Sequence, residues 1–259
     1  MLSLTAGKPI AHITTGKDKG QIIRLNAKVD DQDVDIDAKS LRLKRSKLMP
    51  MIDVEDRQVV YIAGPSGSGK STYASALATT YKKIWPEREI YFFSRTAVED
   101  DPAYKKLKPT QVMLDETIVT DPIDINEFEH GSLIIFDDCN TITNGAIRKS
   151  VLHIIKDILE VGRKMGLWII ITSHLINPSD RDFSRTVLNE LHTLTFFPRS
   201  GSSYQIKYAL QKYFGLNNKE VDKLLKIPSR WVTINRSYPT YVAYDKGVFL
   251  LDALDSLKI

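Results

Sequence analysis

The stretch GPSGSGKST at residues 64–72 constrains this chain more than any other part of it. It fits G-x-x-x-x-G-K-[ST] and stands between an apolar run at 58–63 and a helical pattern at 71–84. Each residue type in it has a mechanical reason to be there. Gly64, Gly67 and Gly69 let the backbone curl so that successive N–H groups point inward, where a side chain would obstruct. Pro65, Ser66, Ser68 and Thr72 complete the turn, and the following helix adds the positive end of its dipole. A loop of this kind holds the phosphates of a nucleoside triphosphate such as ATP, with Lys70 across the β- and γ-phosphates and the Ser71 hydroxyl on Mg²⁺.

A second signal is LIIFDDCN at 133–140. Four apolar residues ending in two carboxylates place Asp137 at the tip of a buried strand, where it can orient Mg²⁺, with Asp138 just beyond to accept a proton from the attacking water or to orient it. Two adjacent acids are costly at such a place without a cation. A third is the strand end TSH at 172–174. If that strand lies between the loop strand and the LIIFDD strand, Thr172, Ser173 or His174 reaches the γ-phosphate as a polar sensor.

Around these motifs, apolar runs at 58–63, 89–94, 132–137, 167–173 and 191–197 alternate with helical spacing at 71–84 and at Ile147, Val151, Ile154, Ile155 and Ile158. The helix through 147–162 is expected to stop at GRKMG, with basic residues suited to its C-terminus. Strands alternating with helices predict a three-layer α/β class with a mostly parallel central sheet covered on both faces. Its ligands belong at the carboxyl ends of the strands.

The flanks read differently. Residues 1–50 form a small β-rich N-terminal lead-in, in which an acidic stretch (Asp30, Asp31, Asp33, Asp35, Asp37) precedes a basic one (Lys39, Arg42, Lys44, Arg45, Lys47). The basic run is either a solvated strand face or a DNA-facing patch. Residues 51–200 are the expected ATPase core. Residues 201–259 form a small α+β segment of two short helices and hairpin strands, either DNA-contacting or a cap whose aromatics form its own core.

Of 259 residues, 42% are hydrophobic and 26% charged, which suits one main domain with a small appendage. A net charge of +4 leans only weakly toward a polyanionic partner. The single Cys139 cannot form an internal disulfide, and the five histidines show no metal-ligand spacing. No signal-peptide pattern is present, and the longest strongly apolar run, 167–171, is too short for a bilayer. The expectation is a soluble intracellular protein with no membrane partner.

GPSGSGKST, LIIFDD and the helix ending in GRKMGLWIIITSH, in this order, resemble the P-loop ATPases of the FtsK/HerA-like group, in particular the genome-packaging ATPases of large double-stranded DNA viruses. The resemblance covers about residues 58–197 and implies a three-layer P-loop NTPase of the additional-strand type. It implies an ATP-hydrolysing, Mg²⁺-dependent, DNA-stimulated motor that translocates double-stranded DNA, with packaging of a viral genome into a capsid as its task. It places Lys70, Ser71, Asp137 and Asp138 in the roles given above, and His174 where the family commonly has glutamine. It also implies a homo-oligomeric ring in which an arginine of one subunit reaches its neighbour's γ-phosphate: Arg163 first, then Arg148, Arg181 and Arg185. A capsid or portal protein is the implied partner, and a host-cell assembly site or the virion the implied location. A P-loop kinase acting on a small molecule shares the loop, with NPSDRDFSR at 177–185 as its lid-like segment. A slow nucleotide-regulated assembly protein is the third reading.

Overall fold

The N-terminal strands are β1 (Leu2–Ser3), β2 (Lys8–Ile13), β3 (Ile22–Leu25), β4 (Ser40–Arg42) and β5 (Leu48–Pro50). Next come β6 (Val59–Ala63), α1 (Lys70–Ile84), β7 (Ile90–Ser94), β8 (Thr110–Met113), α2 (Thr117–Thr120), β9 (Leu133–Phe136), α3 (Gly145–Glu160), β10 (Trp168–Ser173) and α4 (Arg181–Glu190). The chain closes with β11 (Thr193–Phe196), α5 (Ser203–Phe214), α6 (Asn218–Leu225), β12 (Val232–Asn235), β13 (Tyr241–Tyr244) and β14 (Gly247–Leu250). This computed structural model describes residues 1–26, 39–174, 181–200 and 202–256. The acidic run at 30–37 and residues 177–180 of the lid-like stretch lie outside the described residues, as does the side chain of Arg181.

Contacts divide the chain into two compact units, Met1–Glu55 with His192–Ile259, and Asp56–Leu191. The second unit is the parallel α/β body. Its strands run β6, β10, β9, β7, β8 from neighbour to neighbour, every pair parallel. β6, β9 and β10 are buried along their whole length, as expected of strands covered on both faces, and their Val, Ile and Phe residues suit that setting. Because all five run the same way, Ala63, Ser173, Phe136, Ser94 and Met113 end at one edge, and the α1 phosphate loop rises from it.

α1 buries Tyr73, Ala74, Leu77, Ala78 and Tyr81, one stripe at helical spacing. α3 buries Ile147, Val151, Ile154, Ile155, Ile158 and Leu159, and starts at Asn144, whose side chain accepts from the amides of Ala146 and Ile147. It ends at Glu160, ahead of GRKMG as expected, but the basic residues of that segment do not serve its C-terminus. The carbonyls of Ile158 and Leu159 accept from the guanidinium of Arg57, both at 2.8 Å, while Arg163 and Lys164 of GRKMG are exposed. Burial lowers the Arg57 pKa, with the Glu190 carboxylate working against the shift and Arg163 adding to it.

The first unit holds an antiparallel sheet ordered β1, β3, β2, β5 and an antiparallel run β4, β14, β13, β12, β11. Alternate residues of both meet in one core: Leu2, Ile10, Ala11, Ile13, Ile23, Leu25 and Leu48 against Tyr241, Ala243, Val248 and Leu250. Residues 1–50 and 201–259, separate pieces in the sequence reading, thus share buried surface here. No helix among the described residues is long and apolar enough to cross a membrane.

Candidate active site

The phosphate loop keeps its shape through backbone bonds. The amide of Gly64 donates to the carbonyl of Ser173 (3.0 Å), which ties the loop to β10, and Ser68 donates to Pro65 (3.2 Å). Gly67 and Gly69 have φ of 73° and 110°, a region L side chains rarely adopt. A Cβ at Gly67 would meet nothing within 4 Å, so dihedral angle and not space demands glycine there. No side chain caps α1, which leaves the first-turn amides to an external anion. Lys70 is 5% exposed, with its ammonium 3.5 Å from the Pro65 carbonyl and 3.6 Å from Asp138 Oδ1. A buried ammonium with such long contacts fits a site made for phosphate oxygens.

β10 lies between β6 and β9, so the condition set on the sensor strand is met. Thr172 stands between the two acids. Its hydroxyl donates to Asp137 Oδ1 (2.8 Å), lies 3.4 Å from Asp138 Oδ1, and accepts from the Asp138 amide (2.9 Å). That amide bond helps hold Asp138 in a left-handed backbone conformation, φ 47° and ψ 34°, which aspartate tolerates better than most residues. Its carbonyl accepts from both the amide (3.1 Å) and hydroxyl (2.8 Å) of Thr141. Its carboxylate then meets Lys70 on one oxygen and His174 Nε2 on the other, at 2.8 Å.

Asp137 has the opposite environment. Burial raises its pKa to about 6. The Thr172 hydrogen bond opposes this, the Asp138 and Asp101 charges add to it, and a Tyr104 hydrogen bond opposes it. Tyr104 is fully buried, packs on Phe92 with ring centroids 4.5 Å apart, and donates to Asp137 Oδ1 at 3.3 Å. Burial pushes its own hydroxyl well above the usual range, with the Asp137 charge next in effect. Sequence reading missed Tyr104; an aromatic inside the polar segment DDPAYKKLKP was its one signal.

The donor set suits Mg²⁺. Among the described residues no group of three or more His, Cys, Asp or Glu could hold a metal. A hard cation sharing its shell with phosphates and water needs only one or two protein oxygens. Asp137 supplies a carboxylate that lacks a countercharge, and Ser71, half-buried in the first turn of α1, has a hydroxyl with no partner among the described residues.

The proton affinity of Asp137 has a measurable consequence. Between about pH 4 and pH 6 the folded chain keeps a proton that the unfolded chain has released, so stability falls as pH rises through that window and stays lower above it. Asp137→Asn, which keeps the acceptor oxygen, is expected to raise the stability of nucleotide-free, metal-free protein at pH 7.5 by about 2 kcal/mol and to change little near pH 4. Thermal unfolding at the two pH values checks this; an equal effect at both would contradict it.

Lys70, Asp137, Asp138, Thr172 and His174 thus come together at the carboxyl edge. Arg163 does not join them. It sits between the end of α3 and the start of β10, at the amino edge beside Arg57, roughly 20 Å away along a six-residue strand. Arg148, in α3 near its start, is exposed on the carboxyl side.

No protein-family model matches the sequence. The uncharacterized protein V3 of the Sputnik virophage is 40% identical over 248 residues, covering 93% of this chain and 94% of V3. Among solved structures, B204, the DNA-packaging ATPase of Sulfolobus turreted icosahedral virus, superposes with a TM-score of 0.50 at 15% identity, over 74% of this chain and 98% of B204. That likeness bears on the fold alone, and the expected α/β architecture with a mostly parallel central sheet is the one found.

Proposed function

We propose that this chain, which belongs to the family of the Sputnik virophage protein V3, is an ATP-hydrolysing motor that translocates double-stranded DNA and packages a viral genome into a capsid. The observation that carries the reading is the meeting of Lys70, Asp138, Thr172 and His174 beside a glycine-shaped loop at the carboxyl ends of adjacent parallel strands. The fold shared with B204, a DNA-packaging ATPase, supports the choice of DNA as substrate.

In this reading the amides of residues 64–72 and the Lys70 ammonium hold the triphosphate, and Ser71 and Asp137 hold Mg²⁺. The metal, when bound, would neutralise part of the triphosphate's negative charge. Asp138 orients the attacking water and accepts its proton; Lys70 and His174 fix the direction of the carboxylate. Thr172 positions both acids from the strand next to theirs. The remaining cation, on the γ-phosphate, comes from a neighbouring subunit of a ring, with Arg163, Arg148 and Arg185 as candidates and a capsid or portal protein as the docking partner of that ring.

The expected result is phosphate release that needs Mg²⁺ and rises severalfold when duplex DNA is added. Release indifferent to DNA, together with phosphorylation of a small hydroxyl compound, would favour a kinase instead.

A further inference from the structure

The two units differ in charge. Met1–Glu55 with His192–Ile259 carries 20 Lys and Arg against 13 Asp and Glu, and five of those acids fall at 30–37, outside the described residues; Asp56–Leu191 carries 16 against 19. The excess of cations therefore lies away from the unit with the phosphate loop, and its distribution decides its use.

Three loops of the first unit are stitched together. The β2–β3 turn, TTGKDKG at 14–20, is tied to Lys47: the amide and hydroxyl of Thr14 both donate to the Lys47 carbonyl (2.8 and 3.1 Å), and the Lys47 amide donates to Thr15 Oγ1 (2.8 Å). The β13–β14 turn is tied to the same segment from the other side, since Leu43 donates to the Lys246 carbonyl (2.8 Å) and Leu48 to that of Asp245 (2.9 Å). At Gly16, φ is 87° and a Cβ would collide with the Ser46 side chain, so the first two loops touch. These bonds bring Lys17, Lys19, Lys44, Arg45, Lys47 and Lys246 to one end of the unit, all exposed. None of the six pairs with a carboxylate among the described residues. Asp18 and Asp245 are the acids of the same loops, and Asp245 Oδ1 is buried.

We infer that this three-loop cationic end, built on Lys17, Lys19, Lys44, Arg45, Lys47 and Lys246, is where the protein grips the phosphate backbone of duplex DNA. Ordinary solvated lysines fray independently; these project from backbones cross-linked to each other, so their spacing is set before binding and little ordering entropy is lost. Duplex DNA presents phosphates densely enough to engage several of them at once, and the gain comes from released counterions. Contacts to phosphates carry no sequence information, which suits a grip that must act on any sequence passing through it. The inference rests on the DNA-motor reading and locates that motor's contact in these three loops, not in helices α5 and α6.

The test is binding of a short blunt duplex by fluorescence anisotropy across a salt series from about 50 to 200 mM. The triple variant Lys44→Ala, Arg45→Ala, Lys47→Ala is expected to bind on the order of tenfold more weakly, with the slope of log affinity against log salt reduced by about 3. Lys17→Ala with Lys19→Ala, on a separate loop, is expected to reduce it by about 2. A control triple on α5 and α6, Lys212→Ala, Lys219→Ala and Lys226→Ala, is expected to keep the wild-type slope. Thermal unfolding midpoints at the wild-type value verify folding of each. If wild type binds and the loop variants retain its slope, or if the helix triple loses slope in their place, the inference is overturned while the motor reading stands. A wild type with no salt-dependent duplex binding overturns both.

Discussion

Lys70→Ala is expected to lower ATP hydrolysis by at least about 10²–10³-fold and to weaken nucleotide binding with it. The side chain is buried, and its ammonium already lies within 4 Å of Asp138, so alanine removes the central cation of the site and leaves the Asp138 carboxylate against the His174 imidazole. Phosphate-release kinetics and calorimetric titration with ATP measure the two losses; hydrolysis within a few fold of wild type would mean that the loop does not hold the reacting phosphates. The same variant gives the ring a test. A Lys70→Ala subunit keeps its arginines, so mixing it with Arg163→Ala subunits restores activity if Arg163 completes the neighbour's site. No recovery in any ratio removes Arg163 from that role and moves attention to Arg148, which lies on the carboxyl side of its own sheet.

What could be read from the sequence was whatever is local. The phosphate loop, the apolar strands and the acid pair follow from residue types a few positions apart, and the strand at 168–173 declared itself through the five consecutive apolar residues 167–171 and a polar end. The shared core of the first unit was not legible, since Ile10 and Val248 are brought together by a fold that returns after more than two hundred residues, and neither carries a mark of the other. Arg57 as the cap of α3 was hidden for the same reason: it lies about a hundred residues from the carbonyls it serves, while Arg163 and Lys164 stand next to them in sequence and point elsewhere. The short β8 has no clean alternation, two of its four residues being half-buried and two exposed, so its period gave nothing to find. In the site, Thr172 is one of three residues the sequence offers as a phosphate sensor, and its hydroxyl's two shortest contacts, with the adjacent acids, could not be read from the sequence.

The difference between the two acids leads to the sharpest expectation. Asp137 is the more buried acid and has no cation against it among the described residues; Asp138 already meets the Lys70 ammonium and the His174 imidazole. A carboxylate in the first state needs a metal, and one in the second is free to serve as a base once phosphate draws Lys70 away. Asp138→Asn is therefore expected to cut the turnover rate by about 10²–10⁴-fold while nucleotide affinity stays within a few fold. Asparagine suits this test because it tolerates the left-handed backbone at 138 and keeps an oxygen for Lys70, so the loss would be of proton acceptance and not of shape. Single-turnover hydrolysis alongside ATP titration separates the two quantities. Should Asp138→Asn hydrolyse ATP at close to the wild-type rate, Asp138 would be an anchor for Lys70, and the base would have to be sought among groups a neighbouring subunit brings.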